Sequence, residues 1–347
     1  MNLSREQINH WAKRTAISIA ALVVVLSLIV TALWNDRPSL SAVEWPPYPE
    51  YESQADAVTV IWLGVSTLLF DDGDTQILID GFFSRPSIAD VVFGVAVESD
   101  VARINYVLDE YKMRRLAAII PVHSHFDHAM DIGAIANRSS ASILGSSSTA
   151  QIARGAGVPE DQIVVAENNS QYRFGNFVVK LIRSNHAPIG WGGSVPFAGQ
   201  IDEPLQQAAP VSAWREGESY SVVIEHTQGT TLIQGSGGFL PGTLDNVGAD
   251  VVMLGTWGLE NLGRAYTEQY WLASVTSTGA KRIVPIHFDD YTRPFGTIEL
   301  SPRVLDNFVD SAAWLNEIRE TWDNDARLHL PEFGKRIVLY PPAAPEA

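Results

Sequence analysis

His123-Ser124-His125-Phe126-Asp127-His128 places three imidazoles and one carboxylate within six residues. A surface cluster of histidines is the plain alternative. Against it, the run Leu116-Ala-Ala-Ile-Ile-Pro-Val122 feeds directly into the block. An unbroken apolar run of that kind reads as a strand buried on both faces. Its Pro121 sits near the strand end, where the ladder can spare a donor. His123 and His125 alternate, so an extended turn directs both rings to one side. Neutral imidazoles suit Zn, Mn or Fe, and a carboxylate adds a hard oxygen. Such a block arises by chance on the order of once in several thousand chains, and we read it as part of a metal site.

Working outward, Val58–Leu63, Ser66–Phe70 and Gln76–Ile79 read as strands, with Asp71-Asp72-Gly73-Asp74 as a turn before the third. Further strands are expected at 142–145, 177–182, 220–225, 230–234, 251–254, 282–286 and 336–340. Helices are expected at 101–113, 130–137, 149–155 and 311–321. Strands with interspersed helices argue for a layered α/β domain, sheets inside and helices outside. One regularity stands out. Asp80, His123, His186, Ser236, Thr256-Trp257 and His287 each follow the end of an expected strand. Aligned strand ends would gather these polar residues on one rim, where sites commonly assemble.

His-x-His-x-Asp-His after an apolar strand resembles the metallo-β-lactamase superfamily. The resemblance runs from about Val58 to Asp290 and includes Ile77-Leu-Ile-Asp80-Gly, the lone His186 in Ser-Asn-His-Ala-Pro, and Val284-Pro-Ile-His287. It is nearest to the branch containing ascorbate-phosphate lactonases and N-acyl-phosphatidylethanolamine phospholipase D. The resemblance implies a four-layered αββα sandwich with a metal site at one edge. It implies that His123, His125 and His186 hold one metal, and that Asp127, His128 and His287 hold a second. Asp80 would orient loops or ligands near the site, or simply cap a turn. His226 and His329 lack companions and read as structural.

The sequence departs from that pattern in two places. The superfamily usually carries Gly-Asp after the strand matching Thr231–Gln234, and that Asp bridges both metals. Here the stretch is Gln234-Gly-Ser-Gly-Gly238, so Ser236 stands where the bridging carboxylate is expected. A neutral hydroxyl binds divalent metal weakly. The second site therefore loses an anionic ligand, unless Asp289 or Asp290 compensates. The second departure is Gly64-Val65-Ser66, where the branch often has Gly-His.

The expected function is hydrolysis of an ester, phosphodiester or lactone by a metal-bound hydroxide, with Asp127 orienting the water and accepting its proton. Zn2+ is the expected cofactor, with Mn2+ or Fe2+ as alternatives. A non-catalytic metal-binding or scaffold protein of the same fold is the alternative, supported by Ser236. A di-iron redox centre is a third reading, and the same serine counts against it. Residues 189–219 read as an insertion in which Trp191, Phe197 and Trp214 form an apolar lid or pack beneath a long loop. A lid suits a small-molecule or lipid-like substrate. Arg183, Arg264 and Arg293 are candidate phosphate partners.

The 347 residues are 46% hydrophobic, ample for a sizeable core. The net charge of −16 argues against a nucleic-acid groove. The absence of cysteine excludes disulfides and thiolate metal sites. From Thr15 to Asn35 no residue is charged, and about 20 helical residues span the roughly 30 Å hydrocarbon layer. Arg5, Lys13 and Arg14 precede this run with only Glu6 opposing them. The positive-inside rule then keeps 1–14 cytoplasmic and delivers the rest to the outer, periplasmic or extracellular, side. A cleaved signal peptide would have a shorter apolar region, and Leu40-Ser41-Ala42 is a weak cleavage site. Residues 36–56, with Pro38, Pro46, Pro47 and Pro49, read as a linker holding a 57–342 hydrolase domain off the membrane.

Overall fold

A computed structural model describes residues 4–51 and 57–341. The first three residues of the expected cytoplasmic segment, 52–56 of the expected linker and residue 342 lie outside the described residues. Two seven-stranded sheets form the body. The first runs, edge to edge, Arg336–Val338, Thr59–Trp62, Leu68–Asp71, Gln76–Ile79, Leu116–Ile120, Ser142–Gly145 and Ile163–Val165. Its pairs are antiparallel up to Gln76–Ile79 and parallel beyond it. The second runs Arg327–Leu328, Arg282–Ile286, Val251–Gly255, Gly229–Gln234, Ser219–His226, Phe177–Ser184 and Gln171–Phe174. It is parallel across its first four strands and antiparallel beyond.

Strand periodicity explains the layering. Val60, Trp62, Ile77, Ile79, Ala118 and Ile120 join one apolar cluster with Val179, Leu181, Leu232 and Val252 of the second sheet. The residues between them, Ile61, Leu63, Leu78 and Ile119, join another cluster with Ile104, Val107, Ile132 and Ile135 of the helices. Alternate side chains thus face sheet and helix, which is why these strands are apolar throughout. On the far side Phe308, Ala312, Leu315 and Ile318 of the helix Phe308–Trp322 cover the second sheet. The order of layers is helix, sheet, sheet, helix.

A helix spans Arg5–Asn35, started by a capping box between Ser4 and Gln7. Its segment Asn9–Asn35 is long and apolar enough to cross a membrane, and none of its most apolar stretch is buried against the protein. The following residues differ from expectation. Residues 36–51 are no free spacer. Arg37 Nη1 donates to Asp290 Oδ2 and to the Leu300 carbonyl, both at 2.7 Å. Val43, Trp45 and Tyr48 are buried in the inter-sheet cluster. Trp45 Nε1 donates to Asn316 Oδ1, the Tyr48 N–H donates to the Leu330 carbonyl, and the Leu330 N–H donates to the Pro46 carbonyl. The prolines do prevent regular structure, but the apolar residues between them find a surface to cover.

Candidate metal centre

The His123–His128 block divides between two local structures. His123 and Ser124 lie in a bend after the strand Leu116–Ile120, and His125, at φ −63° and ψ 158°, caps a one-turn helix Phe126–Ala129. The helix therefore begins before the expected 130–137, and a second one, Ile132–Ser139, follows. The bend brings the His123 and His125 rings together, centroids 4.6 Å apart. The helical turn sends Asp127 and His128 another.

Two groups of ligating atoms result. His123, His125 and His186 offer atoms within 4.8 Å of one another, and so do Asp127, His128 and His287. His123 Nε2 lies 2.9 Å from His125 Nδ1. His186, just past the strand Phe177–Ser184, hydrogen-bonds the Ala187 carbonyl through Nδ1 at 2.7 Å, leaving Nε2 for the site. Asp127 Oδ2 is 3.5 Å from His128 Nε2 and 3.4 Å from His287 Nε2. The His123 ring meets those of His125 and His186 edge-on, with centroids 4.6 and 4.8 Å apart, and lies tilted 4.0 Å from that of His128, so the groups adjoin. Each draws on both sheets, since His186 and His287 follow strands of the second.

Asp80 ties the first sheet to the second group. Its Oδ1 accepts the Val122 N–H at 2.9 Å, and its Oδ2 lies 2.8 Å from His128 Nδ1. Ser66 Oγ lies 3.0 Å from the same nitrogen. These bonds orient the His128 ring and raise its basicity as a ligand. Asp80→Asn is expected to weaken metal binding by about 10–100-fold, read by titration with a competing chelator.

The residues fit a divalent cation. Burial pushes the His123 imidazole well below its ordinary pKa, and lowers His125 to about 4 and His186 to about 3. Their lone pairs are free near neutrality. Burial alone would raise Asp127, but His128 and His287 reverse the sign and hold it ionised below the carboxylate range. The nitrogens turned toward the groups are His125 Nδ1, 2.9 Å from His123 Nε2, and His287 Nε2, 3.4 Å from Asp127 Oδ2. His128 behaves differently. Burial lowers it, and Asp80 and Asp127 more than offset this and raise it. A cation entering the second group must displace that proton. Acidification is therefore expected to empty the second group before the first, as measured by metal content across a pH series.

Ser236 lines the cavity beside both groups. Its loop is tight: a Cβ at Gly238 would lie 2.0 Å from the Asn185 carbonyl oxygen, so the glycine allows the loop to pass directly under His186. The two expected compensating carboxylates are engaged elsewhere. Asp289 accepts the Val65 N–H at 2.7 Å and pairs with Arg85 at 3.4 Å. Asp290 pairs with Arg37 and accepts from Thr292. Neither joins either ligand group.

The cavity over the centre has a volume of about 130 Å³. Phe126, Ile189, Phe197, Trp257 and Tyr291 form its apolar wall. Of the expected lid residues only Phe197 takes part, its ring 6.1 Å from that of His125. Trp191 is 99% exposed and Trp214 is fully buried among the helices of the first sheet. Both outcomes follow from the chain path, which is anchored where the Glu216 carbonyl accepts the Ser124 N–H. Arg183, Arg264 and Arg293 are each paired with a glutamate, Glu218, Glu317 and Glu299, and none lines the cavity. His226 faces Asp72 at 3.6 Å, and His329 packs on Tyr48; both lie outside the site.

No protein-family model matches the sequence, and no curated protein matches it. Among solved structures it is similar to CmlA, a diiron β-hydroxylase from Streptomyces venezuelae. That likeness has 11% identity, covers 83% of this chain and 55% of that one, and has a TM-score of 0.50. It is also similar to the metallo-β-lactamase fold protein YhfI from Bacillus subtilis, at 14% identity, 81% and 99% coverage and a TM-score of 0.48. Igni18, a metallo hydrolase from Ignicoccus hospitalis, gives 16% identity, 81% and 97% coverage and a TM-score of 0.47.

The helix, sheet, sheet, helix order of layers agrees with the sandwich that the sequence pattern implies. The candidate site sits where strand ends of both sheets meet, and two loops lock together there. The His287 N–H donates to the Val65 carbonyl at 2.8 Å, which also accepts Trp62 Nε1. Val65 and His287 have φ of 49° and 53°, costly conformations for such residues. The bonds of Val65 to Asp289, Trp62 and His287 hold them. This network, with Arg85 beneath it, has no motif in the sequence, because its members are scattered from Trp62 to Asp289.

Proposed function

We propose that this protein is a metal-dependent hydrolase of uncharged, largely apolar esters or lactones, held by its amino-terminal helix at a membrane with the site on the outer side. The observation that carries the proposal is the pair of ligand groups on the floor of an apolar cavity. A divalent cation bound there would make a water acidic near neutrality and polarise a scissile carbonyl. His123, His125 and His186 would hold one ion, and Asp127, His128 and His287 a second. Zinc is our preferred metal, because imidazoles dominate the donor set.

The chain's own groups divide the remaining work. Asp127 is ionised and partly accessible at the cavity floor, so it can accept a proton from an attacking water. Tyr291 lines the same cavity, and burial raises its pKa. Its hydroxyl stays protonated and is a donor for a developing oxyanion. Phe126, Ile189, Phe197 and Trp257 exclude water and receive an apolar acyl or alkyl group. Among the described residues no lysine or arginine lines the cavity, which favours uncharged esters and lactones over phosphodiesters.

The test is metal analysis of the purified chain, followed by turnover on short esters, lactones and bis-p-nitrophenyl phosphate. Ester or lactone cleavage lost on chelation and restored by zinc supports the proposal. Full metal loading with no turnover on the panel favours the binding-protein reading that Ser236 suggests, and iron with visible absorbance favours a redox centre. Ser236→Asp restores a carboxylate beside both groups. It is expected to tighten the second metal by about tenfold or more, the effect of a restored charged ligand, measured by isothermal titration.

A further inference from the structure

The helix Arg5–Asn35 does not leave the domain at a bare surface. Val30, Thr31 and Trp34 in its last turns face Ile88, Val92 and Phe93 of the short helix Ile88–Phe93 across a shallow groove. Phe93 is 80% exposed, Val92 66%, and nearby Val95 48%. A second segment flanks the same point. The Arg303 N–H donates to the Asp36 carbonyl at 2.9 Å, and the next two residues, Val304 and Leu305, are 54% and 39% exposed. Two segments far apart in sequence therefore present apolar side chains beside the exit of one apolar helix. Single exposed apolar residues are ordinary, but Val30, Trp34, Val92 and Phe93 are contiguous around one groove, and such a group marks an interaction site.

The helix identifies the partner. Leu28, Ile29, Val30 and Leu33 are themselves exposed, and their apolar surface runs without interruption into Val92 and Phe93 through the shared groove. Charge begins immediately beyond, where Arg37 lies over the Trp34 ring at 5.5 Å. An apolar surface continuous with a membrane-length helix, ending at a Trp–Arg boundary, matches the lipid–water interface. We propose that Ile88–Val95 and Val304-Leu305 form a second membrane contact. They seat in the leaflet at the carboxyl end of the helix and hold the domain down on the bilayer instead of letting it swing on a stem. The proposal rests on the helix spanning a membrane.

The absence of native cysteine makes a clean test possible. The full chain carrying Phe93→Cys is labelled with an environment-sensitive fluorophore and reconstituted in phosphatidylcholine vesicles, with and without lipid spin labels near the headgroup. Leu28→Cys reports the helix, and Asp325→Cys, at the opposite end of the sheet from His287, reports bulk water. The expected result is a blue-shifted emission at position 93 and quenching by the spin-labelled lipid of about twofold, as for a side chain at the interface; position 325 is unaffected. A water-like, unquenched probe at 93 beside a quenched probe at 28 overturns the contact while the anchor stands. A blue shift at 93 without lipid quenching also overturns it, and points to a second copy of the chain. No quenching at either 28 or 93 removes the anchor, and the proposal with it.

Discussion

His186→Ala is expected to lower ester or lactone turnover by about a thousandfold, the several kcal/mol that a Lewis-acid metal supplies. Three protein ligands are the usual minimum for a catalytic zinc, and the first group has three. His186 is also the member that comes from the second sheet, so its loss leaves two ligands from one strand end. The ring is neutral and 8% exposed, and its removal strands no buried charge. The variant should therefore fold, with a far-ultraviolet circular dichroism spectrum like that of the parent, while its metal content falls. Parental turnover with parental metal content would refute the ligand assignment.

Arg85→Met is expected to cost about 3–5 kcal/mol of stability, the range for breaking a buried ion pair from one side. Arg85 and Asp289 have side-chain exposures of 3% and 1%. Burial lowers the Arg85 pKa, against the pull of Asp289, but a guanidinium stays charged at any ordinary pH. Arg85 Nη2 also donates to the Leu63 carbonyl, and Gly64 makes room for it: a Cβ there would lie 2.3 Å from Nη2. Without Arg85, the Asp289 carboxylate keeps, among the described residues, the Val65 N–H as its one donor. Adding Asp289→Asn removes the stranded charge, so the double variant should regain a large part of the loss. Denaturant unfolding measures both. An Arg85→Met protein within about 1 kcal/mol of the parent, the scale of an ordinary surface change, would show that the pair does not hold this corner.

The candidate ligand positions were legible because metal chemistry accepts few residue types. His123, His125, His186 and His287 each stand at the end of an apolar run, and burial on both faces makes such runs readable as strands. The neighbours of the ligands were not legible in the same way. Asp289 and Asp290 look like natural compensators for Ser236 when only chain distance is known. In the structure Arg85 and Arg37, more than 200 residues away in sequence, claim them. Arg183, Arg264 and Arg293 likewise look free until their glutamates come into place. The linker reading failed for a related reason: prolines report what the backbone cannot do, and are silent on what Val43, Trp45 and Tyr48 will cover.

The sequence by itself determined the donor types, the strand ends that carry them, the apolar amino-terminal helix and the serine where a carboxylate was expected. These are local properties, written in composition and in periods of two and 3.6 residues. Only the tertiary structure decided the rest. It divided six candidate ligands into two groups and set Asp80 against His128. It put Phe197 over the site while burying Trp214 and exposing Trp191, and it brought Phe93 beside Trp34. Each of these outcomes depends on which distant residue occupies the neighbouring space, and no local period encodes that.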